Sequence, residues 1–264
     1  MVKIKAVAWD MDGCAADSEV IAMQLAVSAA ADYAQKQKPG LVVDQKTRDN
    51  FVQSTMGQTI TEIGEHVAAA YGVQMPKDLQ NVVTSQTIQA LTSSCKPSPG
   101  ALEAMQGIKD SGLQQWIATS SAPDRVVATI STTGIDKVLP KQEWDWFSAT
   151  KTKPDPEVYL RSIATRGFEP AEVMAIEDSK TGAMAAKAAG VGYIVGYVGG
   201  SHIPEAKKEK HAQELLALGV DVVVRDLREV PGILQGVNSP GGLARRPGAS
   251  AVAAFMPTTV PGGS

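Results

Sequence analysis

Four short stretches of the 264-residue chain carry residues whose types and spacing could do chemistry together. Asp10-Met11-Asp12-Gly13 offers two carboxylates one residue apart, and Glu177-Asp178-Ser179 offers two adjacent ones. Thr119-Ser120-Ser121 is a run of hydroxyls, and Lys151 and Lys153 precede Pro154-Asp155. Each alone has an ordinary explanation. Asp12-Gly13 suits a turn. Thr119 to Ser121 before Ala122-Pro123, and Asp178 or Ser179 before a helix, suit N-caps. Lys153 would ordinarily be a solvated surface lysine. Gathered at one place they define a different problem. Carboxylates crowded together repel unless a cation sits among them. Hard oxygen ligands without His or Cys fit Mg2+, which keeps waters and meets substrate phosphates. A lysine and hydroxyls opposite would hold phosphoryl oxygens. That is the equipment of phosphoryl transfer, where positioning and charge neutralisation do most of the catalysis.

The elements must bring these stretches to one edge, and the hydropathy pattern does so. Val2 to Ala8 alternates and then turns apolar, which predicts a strand ending at Asp10. Ser18 to Gln35, Thr47 to Thr55, Thr59 to Tyr71 and Pro76 to Ser93 have helical spacing, separated by Gly40, Gly57 and Gly72. They predict a small helical unit, ended by Lys96-Pro97-Ser98-Pro99-Gly100. After Gly100 helices (101–111, 123–132, 156–166, 181–189, 204–218) alternate with strands (113–118, 146–149, 173–176, 192–197, 220–224). That alternation predicts an α/β fold: a Rossmann-like three-layer core around a parallel sheet, with the helical unit inserted after the first strand. Ligands of such a sheet bind beyond the carboxyl ends of its strands, which is where all four stretches fall. The expected division is 1–16 and 98–237 for the core, 17–97 for the helical unit, and 238–264 for a Pro/Gly-rich disordered tail.

Composition narrows the function from the other side. Lys and Arg number 25 against 28 Asp and Glu, a net charge of −3, with no basic face for nucleic acid. No apolar run is long enough for a membrane span, and the N-terminus lacks the long apolar region of a secretory signal. Cys14 and Cys95 are too few for a disulfide framework or a four-thiolate zinc site. The expectation is a soluble, cytoplasmic protein. His66, His202 and His211 show no metal-ligand spacing; His202 follows a strand and could touch the site, but reads rather as a surface-loop residue.

The order Asp10-Met11-Asp12-Gly13, Ala118-Thr119-Ser120, Lys153-Pro154-Asp155-Pro156 and Glu177-Asp178-Ser179-x-x-Gly182 resembles the haloacid dehalogenase superfamily, over about residues 3–235. The insertion, with Asp17-Ser18-Glu19 at its start and Gly57 within, resembles the small α-helical cap of the β-phosphoglucomutase-like branch. The segments 183–190 and 198–202 resemble sugar-phosphate phosphatases of that branch. The resemblance implies that Asp10 is a nucleophile forming an aspartyl-phosphate, and that Asp12 is the general acid and then base. It implies that Thr119 and the Ser120 backbone N–H bind the phosphoryl group, with Lys153 neutralising charge. Asp10, Asp178 and the backbone carbonyl of Asp12 would hold Mg2+, with Glu177 a direct or outer partner. The cap would close over the site, hinged near Asp17 and Pro97, with Gln58 and Thr59 as candidate substrate contacts unless Thr59 merely caps a helix. Cys14 stands where the family usually has Thr.

Within that superfamily the residues favour hydrolysis of a small phosphorylated metabolite, a sugar or sugar-acid phosphate. Dehalogenases lack a carboxylate two residues after the nucleophile, and phosphonate-cleaving relatives place a small residue there; this chain has Asp12. A phosphosugar mutase remains the alternative, although Ala22 and Ile60 stand where β-phosphoglucomutases carry a His and an Arg. A non-catalytic regulatory relative is the other, with the intact Asp10, Asp12, Lys153 and Asp178 against it. Neither leaving group nor oligomeric state is legible.

Overall fold

β1 (Ala6–Trp9) is buried along its whole length. It lies between β2 (Gln114–Ala118) and β4 (Val173–Glu177), parallel to both. Ala8 sits between Trp116 and Ala175 in the register. β3 (Trp144–Asp145) pairs with the end of β2, while β5 (Tyr193–Tyr197) and β6 (Val222–Val224) extend the sheet beyond β4. The strand order β3-β2-β1-β4-β5-β6 reverses direction beside β1. A crevice opens at the carboxyl ends of strands at such a switch point. Asp10 follows β1 and Asp178 follows β4, so both stand at it. The computed structural model describes residues 3–55, 58–145 and 151–240.

Successive strand residues point to opposite faces, and the two faces bury different side chains. Val7, Trp9, Ile117, Met174, Ile176 and Val195 share one core. It is covered by α5 (Ala101–Asp110), α6 (Pro123–Thr133) and α10 (Val230–Asn238). Ala6, Ala8, Trp116, Ala118, Ala175 and Ile194 share the other. It lies under α7 (Glu157–Thr165), α8 (Lys180–Ala188) and α9 (Glu205–Ala217). The result is the expected three-layer α/β arrangement.

The helical unit comprises α1 (Glu19–Gln37), α2 (Gln45–Ser54), α3 (Ile60–Tyr71) and α4 (Leu79–Ser94). It has its own core of Met23, Ala26, Val27, Val52, Ile63, Val67 and Val83. The chain enters and leaves it side by side. Asp17 N–H donates to Lys96 O at 2.9 Å, and Ser98 N–H donates to Ala15 O at 3.0 Å. Leu91, near the end of α4, joins the core of the sheet domain.

Two expectations shift. The short strand at 146–149 lies outside the described residues; the strand seen ends at Asp145. The hydropathy pattern also predicts no helix after β6 and leaves residue 238 in the tail. Yet α10 buries Val230 and Leu234, and the Asn238 side chain accepts from Ile4 N–H and donates to Ile4 O, each at 2.8 Å. Asn238 therefore closes the core at the start of β1's strand segment. The remaining expected tail, from 241 on, lies outside the described residues. Among the described residues no helix is long and apolar enough to cross a membrane.

Candidate active site

Asp10 stands one residue beyond β1 and is buried. Its backbone N–H donates to Ile176 O at 3.0 Å, which continues the sheet ladder and fixes where the carboxylate emerges. Lys153 reaches it from the loop before α7. Its Nζ lies 2.5 Å from Asp10 Oδ1, 2.7 Å from Glu177 Oε1 and 3.0 Å from Ala118 O. All three ammonium donors are thus placed, and Nζ sits 5.1 Å from the Tyr159 ring centroid. The Tyr159 hydroxyl donates to the same Glu177 oxygen. Lys153 is no solvated surface lysine: its side chain is 8% exposed.

Asp10, Glu177 and Asp178 each offer an oxygen within 4.8 Å of the others. Glu177 Oε2 and Asp178 Oδ1 are buried and have no hydrogen-bond partner among the described residues. Buried carboxylate oxygens in that condition are costly unless something positive meets them. Burial pushes the Asp10 and Glu177 carboxyls above their ordinary range, and the neighbouring carboxylates add to the rise while Lys153 opposes it. A divalent cation would reverse that balance, so the residues present fit one.

Two glycines make the cluster possible. Gly13 has φ +80°, and a Cβ there would lie 2.4 Å from Asp178 Oδ2. At Gly182, in the first turn of α8, a Cβ would lie 1.8 Å from Glu177 Oε2. Ser179 caps α8, its hydroxyl accepting from Gly182 N–H at 3.0 Å. The simple reading of Ser179 as a cap is therefore right, while Asp178 is left for the site.

The Thr119-Ser120-Ser121 run does not cap α6. The N-cap is Ala122, with no side-chain bond. Instead Thr119 Oγ1 accepts from Ser121 N–H at 3.1 Å, Ser120 Oγ accepts from Lys153 N–H at 3.3 Å, and Ser121 Oγ donates to Asp12 Oδ2. The Asp12 carboxylate is held by Ser18, Ser121 and Arg125 and is not one of the three clustered acids. Burial would raise its pKa, but Arg125 and the Ser121 and Ser18 hydroxyls overcome that and hold it low.

A cavity of about 680 Å³ opens above these groups, lined by Asp10, Asp12, Thr119, Ser120, Lys153 and Asp178 among others. Gln58 and Thr59 do not line it. Thr59 caps α3 in a reciprocal pair with Glu62, so its side chain is spent on the helix end. Gly57 lies outside the described residues.

Tyr159 and Arg125, beside the site, carry no signal in the sequence motifs, and His202 departs from its surface-loop reading. His202 is buried, not a surface-loop residue; its Nε2 lies 2.9 Å from Asp178 Oδ2. Its position after β5, at the same sheet edge, was the available signal. Tyr159 and Arg125 follow the lysine and hydroxyl motifs by six and four residues, on the first turns of α7 and α6. Cys14 is fully buried, its thiol directed at Ile176 O at 3.5 Å. Burial, then the charges of Asp10, Asp178 and Glu177, push that thiol up, so it is a packed residue and not a reactive thiolate.

The family model of the haloacid dehalogenase-like hydrolases matches residues 7–195, and the chain belongs to that family. It is 26% identical over 198 residues to a phosphorylated carbohydrates phosphatase of Thermotoga maritima, covering 74% of this chain and 86% of that protein. It is 26% identical over 214 residues to a β-phosphoglucomutase of Mycobacterium tuberculosis, covering 76% of this chain and 73% of that one. A haloacid dehalogenase-like protein of unknown function from Agrobacterium tumefaciens shares the fold at a TM-score of 0.70 and 21% identity, over 89% of this chain and all (100%) of that one. Family membership, with phosphatases among the relatives, makes this chain an enzyme of phosphatase type.

Proposed function

We propose that the protein is a Mg2+-dependent phosphomonoesterase that hydrolyses a small phosphorylated metabolite, a sugar or sugar-acid phosphate, through an aspartyl-phosphate. The observation that carries the reading is the Asp10–Lys153 pair at 2.5 Å in the cavity wall, beside two carboxylate oxygens without hydrogen-bond partners among the described residues. Asp10, Asp178, the backbone carbonyl of Asp12 and Glu177 would hold the ion. When bound it would supply positive charge for the phosphoryl oxygens and for the carboxylates around them.

Asp10 attacks phosphorus through a carboxylate oxygen, and the bond to the leaving alcohol breaks as the new one forms. Asp12 must enter the cycle protonated, against the pull of Arg125 and the two hydroxyls on its carboxylate, and gives the departing oxygen that proton. It then takes a proton from the water that attacks the aspartyl-phosphate, which frees Asp10 and inorganic phosphate. Thr119 and the Ser120 N–H hold the phosphoryl oxygens, and Lys153 balances the charge shared with Asp10. Lys180, Lys207 and Lys210 line the outer wall, which suits an anionic substrate. The helical unit acts as a cap that excludes bulk water, hinged where Asp17 and Pro97 pass each other. Lys207 Nζ on α9 meets Gln53 O of α2 at 3.1 Å, a contact that bridges cap and core.

The test is phosphate release from a panel of phosphorylated metabolites, with Mg2+, with EDTA, and with Asp10→Asn. Release that needs both Mg2+ and Asp10 is expected. No release from folded protein overturns the hydrolytic reading. Interconversion of sugar phosphates without free phosphate would instead establish a mutase, a reading favoured by the mycobacterial relative but lacking support from Ala22, which is packed within α1.

A further inference from the structure

We propose that Arg125 is the positioning residue for Asp12, setting its carboxylate where it exchanges a proton with the leaving group; this rests on the hydrolytic reading above. Arg125 is the third residue of α6. Its Nε and Nη2 lie 3.0 and 2.7 Å from Asp12 Oδ1. Ser18 donates to the same oxygen at 2.5 Å, and Ser121 donates to Oδ2. The three partners come from three separate segments: the entry to the helical unit, the loop after β2, and α6. Hydroxyls rotate and can donate or accept. A guanidinium only donates, in a fixed planar fork, and both of its donors fall on Oδ1, so Arg125 fixes the place of that oxygen while Ser121 on Oδ2 sets the turn of the carboxylate. The pair is well shielded, with side chains 19% and 16% exposed.

Arg125 acts from behind. Asp12, Ser121 and Glu19 line the cavity, and Arg125 is not among the described residues that do. Its Nη2 stands 3.7 Å from Glu19 Oε2, so it also neutralises the acid that would otherwise push Asp12 aside. Any effect of Arg125 on a bound ester must therefore pass through Asp12 or Glu19 and not through direct contact.

That placement makes a specific demand. A proton is needed only when the leaving oxygen is too basic to depart as an anion. A sugar alkoxide needs it; nitrophenolate does not. The experiment compares the panel's best sugar phosphate with p-nitrophenyl phosphate, in wild type, Arg125→Ala, Arg125→Lys, Asp12→Asn and the Asp12→Asn/Arg125→Ala pair. Arg125→Ala should lose about 10²-fold in kcat/KM on the sugar phosphate and less than about 5-fold on the nitrophenyl ester. The double variant should be no slower on the sugar phosphate than Asp12→Asn alone. Arg125→Lys keeps the charge but not the fork, and should show the same selective loss at smaller size; it carries the test if Arg125→Ala does not fold. Equal losses on both esters, or full additivity in the double variant, overturn the assignment and leave the hydrolytic reading standing. A folded wild-type protein that hydrolyses neither ester overturns both.

Discussion

His202 Nε2 lies 2.9 Å from Asp178 Oδ2, packed against the bare Cα of Gly13, while Asp178 Oδ1 has no hydrogen-bond partner among the described residues. One oxygen of the carboxylate is thus held by the ring, and Asp178 belongs to the cluster with Asp10 and Glu177. Outer hydrogen bonds of this kind orient a metal ligand and tune its basicity. His202→Ala should weaken Mg2+ binding by about 10-fold or more, read by calorimetric titration of the folded variant. Glutamine, which can still donate to Oδ2, should recover part of the loss. Unchanged Mg2+ affinity in both variants would show that the ring only fills space.

Gly182 tests the packing of the cluster from beneath. Alanine is the better helix former by about 1 kcal/mol, and Gly182 sits in the first turn of α8. Against that, its Cβ would lie 1.8 Å from Glu177 Oε2 and 2.2 Å from Cδ. The carboxylate cannot retreat without breaking its contacts to Lys153 and Tyr159. Overpacking together with a disturbed buried ion pair should cost about 3 kcal/mol. Urea unfolding of Gly182→Ala should show that loss; a stabilised variant would mean the carboxylate has free room.

The charges also set a pH dependence with a definite sign. In the metal-free protein burial raises the Asp10 and Glu177 carboxyls above their unfolded values. The folded state then binds more protons than the unfolded one, and stability falls as pH rises through those raised values. Asp12 works oppositely: burial is outweighed by Arg125 and the two hydroxyls, so its contribution is present above the ordinary carboxylate value and is lost in stronger acid. Melting in EDTA should therefore give a higher Tm near about pH 5 than near about pH 8. Mg2+ should raise Tm more at the higher pH, since it favours the ionised carboxylates. A metal-free Tm that climbs from the lower to the higher pH would contradict the assignment.

Much of this was legible because the chemistry sits directly at strand ends. Asp10, Thr119 and Asp178 each follow a run whose apolar pattern marks a strand, and parallel topology brings such ends together. What was not legible depends on three-dimensional proximity without a local pattern. Arg125 looks like any exposed helix arginine until α6 is docked so that it faces Asp12. His202 sits in a Gly-Gly-Ser-His loop whose course over Gly13 no periodicity encodes. α10 has a weak local signal, since Pro231 and Gly232 interrupt a short apolar segment, although proline is well tolerated in a first helical turn. The hydroxyl run misled in the opposite sense: it has the composition of an N-cap, but Ala122 takes that position and the hydroxyls turn to Asp12 and Lys153.

Lys153 is where folding and chemistry make the same demand. It is buried at 8% side-chain exposure, with its ammonium paired to both Asp10 and Glu177. Lys153→Met keeps most of the volume and removes the cation. Breaking a buried ion pair on one side costs about 3–5 kcal/mol, because the surviving charges are left uncompensated. Here the survivors are carboxyls that can take up protons, so the penalty should shrink in acid and grow toward alkaline pH. Mg2+ should return part of the lost stability by standing in for the missing charge, but phosphate release should stay abolished because nothing then neutralises the Asp10 side of the transferring group. Denaturation midpoints of the variant across pH, with and without Mg2+, separate the two roles. A variant that keeps wild-type stability at alkaline pH in EDTA would show that Asp10 and Glu177 do not depend on Lys153.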